Sequence, residues 1–282
     1  MRHVLELAIL FIFLFFILLS FIGFFTSIKP QKFRSHITPG DLGLDYEDVT
    51  FTTKDGLKLK GWFIPSGDME SKTIILLHGY PADKGDILPA MSFLARRYNL
   101  FLFDFRSLGE SEGRISTAGA IERLDLLGAI DFLKEKRVHE VGIWGFSMGG
   151  AVALMMAPQA PGIKAIVSES SYARLDLMAR ELYRIPLLNY PLAFLTGIWS
   201  KIFLGIYPKD ISPVESVKSL KIPVLLLHSK NDQVIPFRHA LLLQEALKKN
   251  SKAEFWFEEN LGHGELGNEY QRRILEFFEK NL

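Results

Sequence analysis

The sequence predicts an α/β protein: a mostly parallel sheet covered by helices on both faces, preceded by one membrane-spanning helix. Three observations lead there. An apolar run near the N-terminus carries no charge. Farther on, short apolar runs alternate with longer amphipathic segments. One of those runs leads into Gly145-Phe146-Ser147-Met148-Gly149, where a strand should turn abruptly into a helix.

The totals agree with a globular catalytic body. The chain has 282 residues, 48% of them hydrophobic, with 23 Phe, far from the polar composition of disordered chains. A formal net charge of +1 gives no field suited to a polyanion, so no nucleic-acid partner is expected. Cysteine is absent, which excludes a disulfide framework, thiolate catalysis and Cys-ligated zinc.

Residues 7–28 contain no charged side chain. At about 1.5 Å per residue they span roughly 33 Å, enough for a hydrocarbon core of about 30 Å. The run is apolar all round, unlike an amphipathic surface helix. A cleaved signal would have a shorter apolar region and a small-x-small site. Here the run ends Phe24-Phe25-Thr26-Ser27-Ile28-Lys29, so residues 1–28 are expected to be an uncleaved single-pass anchor. Lys29, Lys32 and Arg34 after the run, against Arg2 and the α-amino group before it, lean toward a cytoplasmic catalytic domain.

Residues 29–46, with Pro30, Pro39, Gly40 and Gly43, read as a linker to a domain over 47–282. That domain opens with a hairpin, two alternating arms around Lys54-Asp55-Gly56. Apolar runs at 73–77, 100–103, 141–144, 165–167, 224–227 and 254–257 then alternate with helical segments near 86–97, 117–136, 237–248 and 265–280, and one from Ser147. Continuous apolar strands interleaved with helices indicate a parallel sheet buried on both faces. Between two core strands, residues 171–220 are too long for a simple crossover and rich in Leu, Ile, Tyr and Phe. They are expected to form a helical cap over one edge of the sheet.

Ser147 is the expected nucleophile. A serine hydroxyl must be presented, exposed to a base, at the sharp strand-to-helix turn that Gly145 and Gly149 permit. Of seven histidines, His263 is the expected base. It lies in Leu261-Gly262-His263-Gly264, at the carboxyl end of the last strand, where open α/β sheets build sites. His78 and His228 end strands, where a buried structural role competes; His3, His36, His139 and His239 sit in the N-terminal segment, the linker, before a strand and within a helix. Asp232, after the strand at 224–227, is the expected carboxylate, with Glu169 and Asp176 in reserve. The oxyanion donors are expected to be the N–H groups of Met148 and of Tyr80 in His78-Gly79-Tyr80-Pro81. Neither a cofactor nor a metal is called for, since His263-Gly264-Glu265 lacks the helical His-x-x-x-His spacing and no Gly-rich phosphate loop is present.

On these residues, together with Leu77-His78-Gly79, Asp104-Phe105-Arg106-Ser107-Leu108-Gly109-Glu110-Ser111-Glu112-Gly113 and Lys221-Ile222-Pro223-Val224, the chain resembles the α/β-hydrolase superfamily, especially its single-pass membrane-anchored members. Family members commonly carry Gly where this chain has Ser107, and often His-Gly where it has His228-Ser229. The resemblance implies cofactor-free hydrolysis of an ester, thioester or amide. A small-molecule or lipid acyl substrate, cleaved through an acyl-enzyme on Ser147, is the leading expectation. A peptidase or amidase of the same fold and an inactive binding protein are the competing readings.

Overall fold

In a computed structural model of the chain, which describes residues 1–68, 71–183 and 185–282, one eight-stranded sheet runs in the order β1-β2-β4-β3-β5-β6-β7-β8. Strands β1 (Glu47–Thr52) and β2 (Lys58–Ile64) form the expected hairpin. Both β1 on β2 and β2 on β4 (Asn99–Phe103) pair antiparallel. The remaining strands, β3 (Thr73–Leu77), β5 (Val141–Phe146), β6 (Ile163–Glu169), β7 (Val224–Ser229) and β8 (Ala253–Glu258), extend from β4 in parallel.

Successive side chains of a strand point to opposite faces, and this sheet buries both. Ile75, Leu77, Ile143, Ile166 and Leu226 pack beneath α3 (Glu122–Glu135), α4 (Met148–Met156) and α8 (Arg238–Leu247). Their strand neighbours Ile74, Leu76, Trp144, Val167 and Leu225 pack against α2 (Lys84–Met91) and α9 (Tyr270–Asn281). That is why the strands read as unbroken apolar runs.

Helix boundaries depart from the sequence pattern. The segment expected as one helix over 86–97 is α2 followed by a 3-10 turn, Ser92–Arg96. Helix α3 begins at Glu122, not near 117, because Ala118 and Gly119 take φ of +52° and +117°. Helix α9 starts at Tyr270.

Between β6 and β7 stand α5 (Leu175–Leu182), α6 (Asn189–Leu204) and the short α7 (Pro213–Ser216). Helix α1 (Arg2–Ile28) is uncapped and exposed over its first two thirds, but Ser20 and Phe24 are buried. The stretch read as a linker is fastened down. Lys32 Nζ donates to the Ser111 carbonyl at 2.7 Å, and Ser35 N–H donates to Asp83 Oδ2 at 2.6 Å.

Candidate active site

Strand β5 and helix α4 are separated by Ser147 alone, whose φ of +54° and ψ of −115° are strained for a side chain with a Cβ. The neighbours explain how the turn closes. A Cβ on Gly149 would lie 2.4 Å from the Leu77 carbonyl oxygen, and one on Gly145 would lie 2.6 Å from the Gly150 nitrogen. The Ser147 N–H donates to the Glu169 carbonyl at 2.8 Å, fixing the turn to β6.

Asp232 and His263 meet at the carboxyl ends of β7 and β8. His263 Nδ1 lies 2.7 Å from Asp232 Oδ2, while Asp232 Oδ1 accepts the N–H groups of Val234 and Ile235 at 2.9 and 2.8 Å. Burial pushes the Asp232 carboxyl up, but the bonds from His263, Ile235 and Val234 outweigh it and hold the group below its ordinary value. The imidazole packs on the Phe146 ring, centroids 4.7 Å apart, which sets it beside the residue before Ser147. Among the described residues Ser147 Oγ makes no hydrogen bond. The Asp232–His263 contact is therefore closed, while no hydrogen bond joins His263 to Ser147.

The reserve carboxylates are engaged elsewhere. Glu169 is buried and accepts the Tyr270 hydroxyl; burial pushes it up to about 7. Asp176 forms a two-point pair with Arg174 at 2.9 and 2.6 Å. His78 accepts the Phe105 N–H on Nε2 at 3.0 Å and donates from Nδ1 to the Gly79 carbonyl at 2.7 Å. His228 Nε2 donates to the Ile235 carbonyl at 2.8 Å. Burial pushes both rings below their ordinary value, so they are neutral structural groups. His239 Nδ1 accepts the Ala173 N–H at 2.9 Å.

Ser147, Met148 and Tyr80 line one cavity of about 270 Å3, bounded by apolar side chains including Leu175, Met178, Leu182 and Leu204 of the inserted helices. Its polar lining is spoken for. Ser116 and Thr117 donate their hydroxyls to the buried Glu122 carboxylate at 2.7 and 2.6 Å, and Tyr172 donates to the Ala118 carbonyl at 2.6 Å. The result is a hydrocarbon-lined space beside one uncommitted hydroxyl, that of Ser147.

Sequence reasoning overlooked three contributors. Glu122 organises the pocket wall from the first turn of α3. Ser229 donates to the Leu261 carbonyl, tying the Asp232 loop to the His263 loop. Helix α1 lends the cavity Phe24, Ser27 and Ile28. The cue for the last was the small and polar group Ser20, Gly23, Thr26 and Ser27 within the apolar run, since small residues on an apolar helix mark close packing.

A doubly covered, mostly parallel sheet with a strained serine turn and an acid–imidazole pair at its carboxyl edge defines the α/β-hydrolase class. The chain belongs to the alpha/beta hydrolase fold family, whose model matches residues 72–202. Among its relatives, the Escherichia coli protein YfhR is 34% identical over 214 residues, 72% of this chain and 69% of that protein. The Saccharomyces cerevisiae membrane protein YNL320W is 26% identical, covering 80% of this chain and 77% of the relative. Among solved structures, the Pyrococcus furiosus esterase Pf2001 superposes with a TM-score of 0.76 at 29% identity, over 91% of this chain and 98% of that one.

Proposed function

We propose that the protein is a membrane-anchored serine hydrolase that cleaves an ester or thioester through an acyl-enzyme on Ser147. The observation that carries this reading is the Asp232–His263 hydrogen bond at the same sheet edge as the strained Ser147 turn. In the first step His263 Nε2 takes the Ser147 proton as Oγ bonds to the carbonyl carbon, giving a tetrahedral oxyanion. The N–H groups of Tyr80 and Met148 donate to that oxyanion, and Asp232 offsets the imidazolium charge. His263 then returns the proton to the leaving oxygen or sulfur, whose bond to the acyl carbon breaks. Water, deprotonated by the same imidazole, releases the carboxylic acid and restores Ser147.

Helix α1, long and apolar enough to cross a bilayer, serves as the anchor, with the catalytic body on the cytoplasmic side. The hydrocarbon lining of the cavity favours a lipid or long-chain acyl substrate. A fluorophosphonate probe tests the chemistry. Wild-type protein should be labelled on Ser147 and Ser147→Ala should not; an unlabelled wild type, or equal labelling of the two, sinks the proposal.

A further inference from the structure

Helix α1 divides by face over its last turns. Ser20 and Phe24 are buried and Ser27 and Ile28 are partly covered, whereas Ile22 and Phe25 point outward. The inner stripe docks on α6. Trp199 Nε1 donates to Ser20 Oγ at 3.1 Å, and the Phe21 and Phe24 rings lie 5.9 and 6.0 Å from that of Phe203. Gly23 permits the approach, since a Cβ there would sit 2.4 Å from the Tyr183 hydroxyl oxygen.

The end of the helix is bolted to the catalytic body itself. The Ser116 N–H donates to the Ile28 carbonyl at 2.8 Å, and the Tyr80 hydroxyl donates to the Ser27 carbonyl at 2.8 Å. Between these attachments Phe24, Ser27 and Ile28 face the cavity that Ser147 opens into. The hydroxyl protons on this side are already committed. Ser27 Oγ donates to the Phe24 carbonyl at 2.7 Å, Thr196 pairs with the Tyr183 hydroxyl at 2.6 Å, and Ser200 donates to the Ile206 carbonyl at 2.8 Å. With those protons engaged, the wall presents mostly carbon and gives a polar acceptor no donor to meet, which favours hydrocarbon.

We propose that the last two turns of α1 are a wall of the acyl-chain site, so that the anchor itself holds a long-chain acyl substrate and sets the preferred chain length. This rests on the serine-hydrolase reading. It goes beyond that reading in assigning substrate contacts to Phe24, Ser27 and Ile28.

The test uses the full chain in nanodiscs and a hexadecyl fluorophosphonate carrying a diazirine on its alkyl chain. Ser147 Oγ attacks phosphorus with loss of fluoride, and irradiation then inserts the carbene into whatever lines the chain. Cross-links on the peptide covering residues 20–29 are expected. Cross-links confined to α5, α6 and the loop after β7 would overturn the inference while leaving the hydrolase intact; failure to phosphonylate Ser147 would instead remove the underlying reading. In parallel, Ser27→Trp should lower the ratio of kcat/KM for dodecanoyl over acetyl p-nitrophenyl ester at least tenfold. Phe11→Trp, on the exposed part of α1, should leave that ratio within twofold. An unchanged ratio in Ser27→Trp also overturns the inference.

Discussion

At the scale of single residues the site turns on Asp232. Its three accepted hydrogen bonds keep it ionised, and one of them favours the His263 tautomer with Nδ1 protonated, leaving Nε2 free for the base role proposed above. Asp232→Asn keeps the shape but inverts that preference. It should reduce kcat by about 10^4-fold with little change in KM, measured on a p-nitrophenyl ester; a loss under tenfold would move the role to another carboxylate. Ser107 is instructive beside it. The residue has φ of +67°, the left-handed region where a Cβ is costly. Its hydroxyl donates to the Ile115 carbonyl at 2.6 Å and offsets part of that cost.

At the scale of elements, the β5–Ser147–α4 turn is tightly constrained. Gly149→Ala drives a methyl group into the Leu77 carbonyl, which is backbone and cannot rotate away. The substitution should cost about 1–3 kcal/mol or more, read as a lower midpoint in chemical denaturation, and should also abolish probe labelling. A fully stable, active variant would mean the turn is looser than the geometry indicates. This element was legible in the residues, because its glycines, its apolar strand and its serine are local. So were the strand-end positions of Asp232 and His263. What stayed hidden is tertiary. The break of α2 into a 3-10 turn, the cradle of Glu122 and the docking of α1 on α6 depend on partners far away in sequence, and an all-apolar run carries no periodicity to say which face is covered.

At the scale of the whole molecule, Glu169 at the end of β6 accepts the Tyr270 hydroxyl of α9, joining the two layers beneath the site. Burial raises its carboxyl from 4.5 to about 7. A carboxyl that binds its proton more tightly in the folded than in the unfolded state loses stability as pH rises from its unfolded value through its folded one. Between pH 5 and 8 wild type should therefore lose more stability than Glu169→Gln, by at most about 3 kcal/mol at roughly 1.4 kcal/mol per pH unit. Denaturation midpoints at both pH values check this, and parallel curves would contradict it.

The docking of α1 has a further consequence for how such an enzyme meets its substrate. With α1 as the proposed anchor and its last turns committed to the body, only residues 7–19 of the uncharged run remain for the bilayer, about 20 Å at 1.5 Å per residue, well short of the ~30 Å of hydrocarbon. On that proposal the body is drawn against the membrane surface, on the side where Tyr190, Phe194 and Ile202 of α6 are exposed. Turnover in that position answers to the mole fraction of substrate among the surrounding lipids, and diluting the bilayer with an inert lipid slows it at constant bulk concentration.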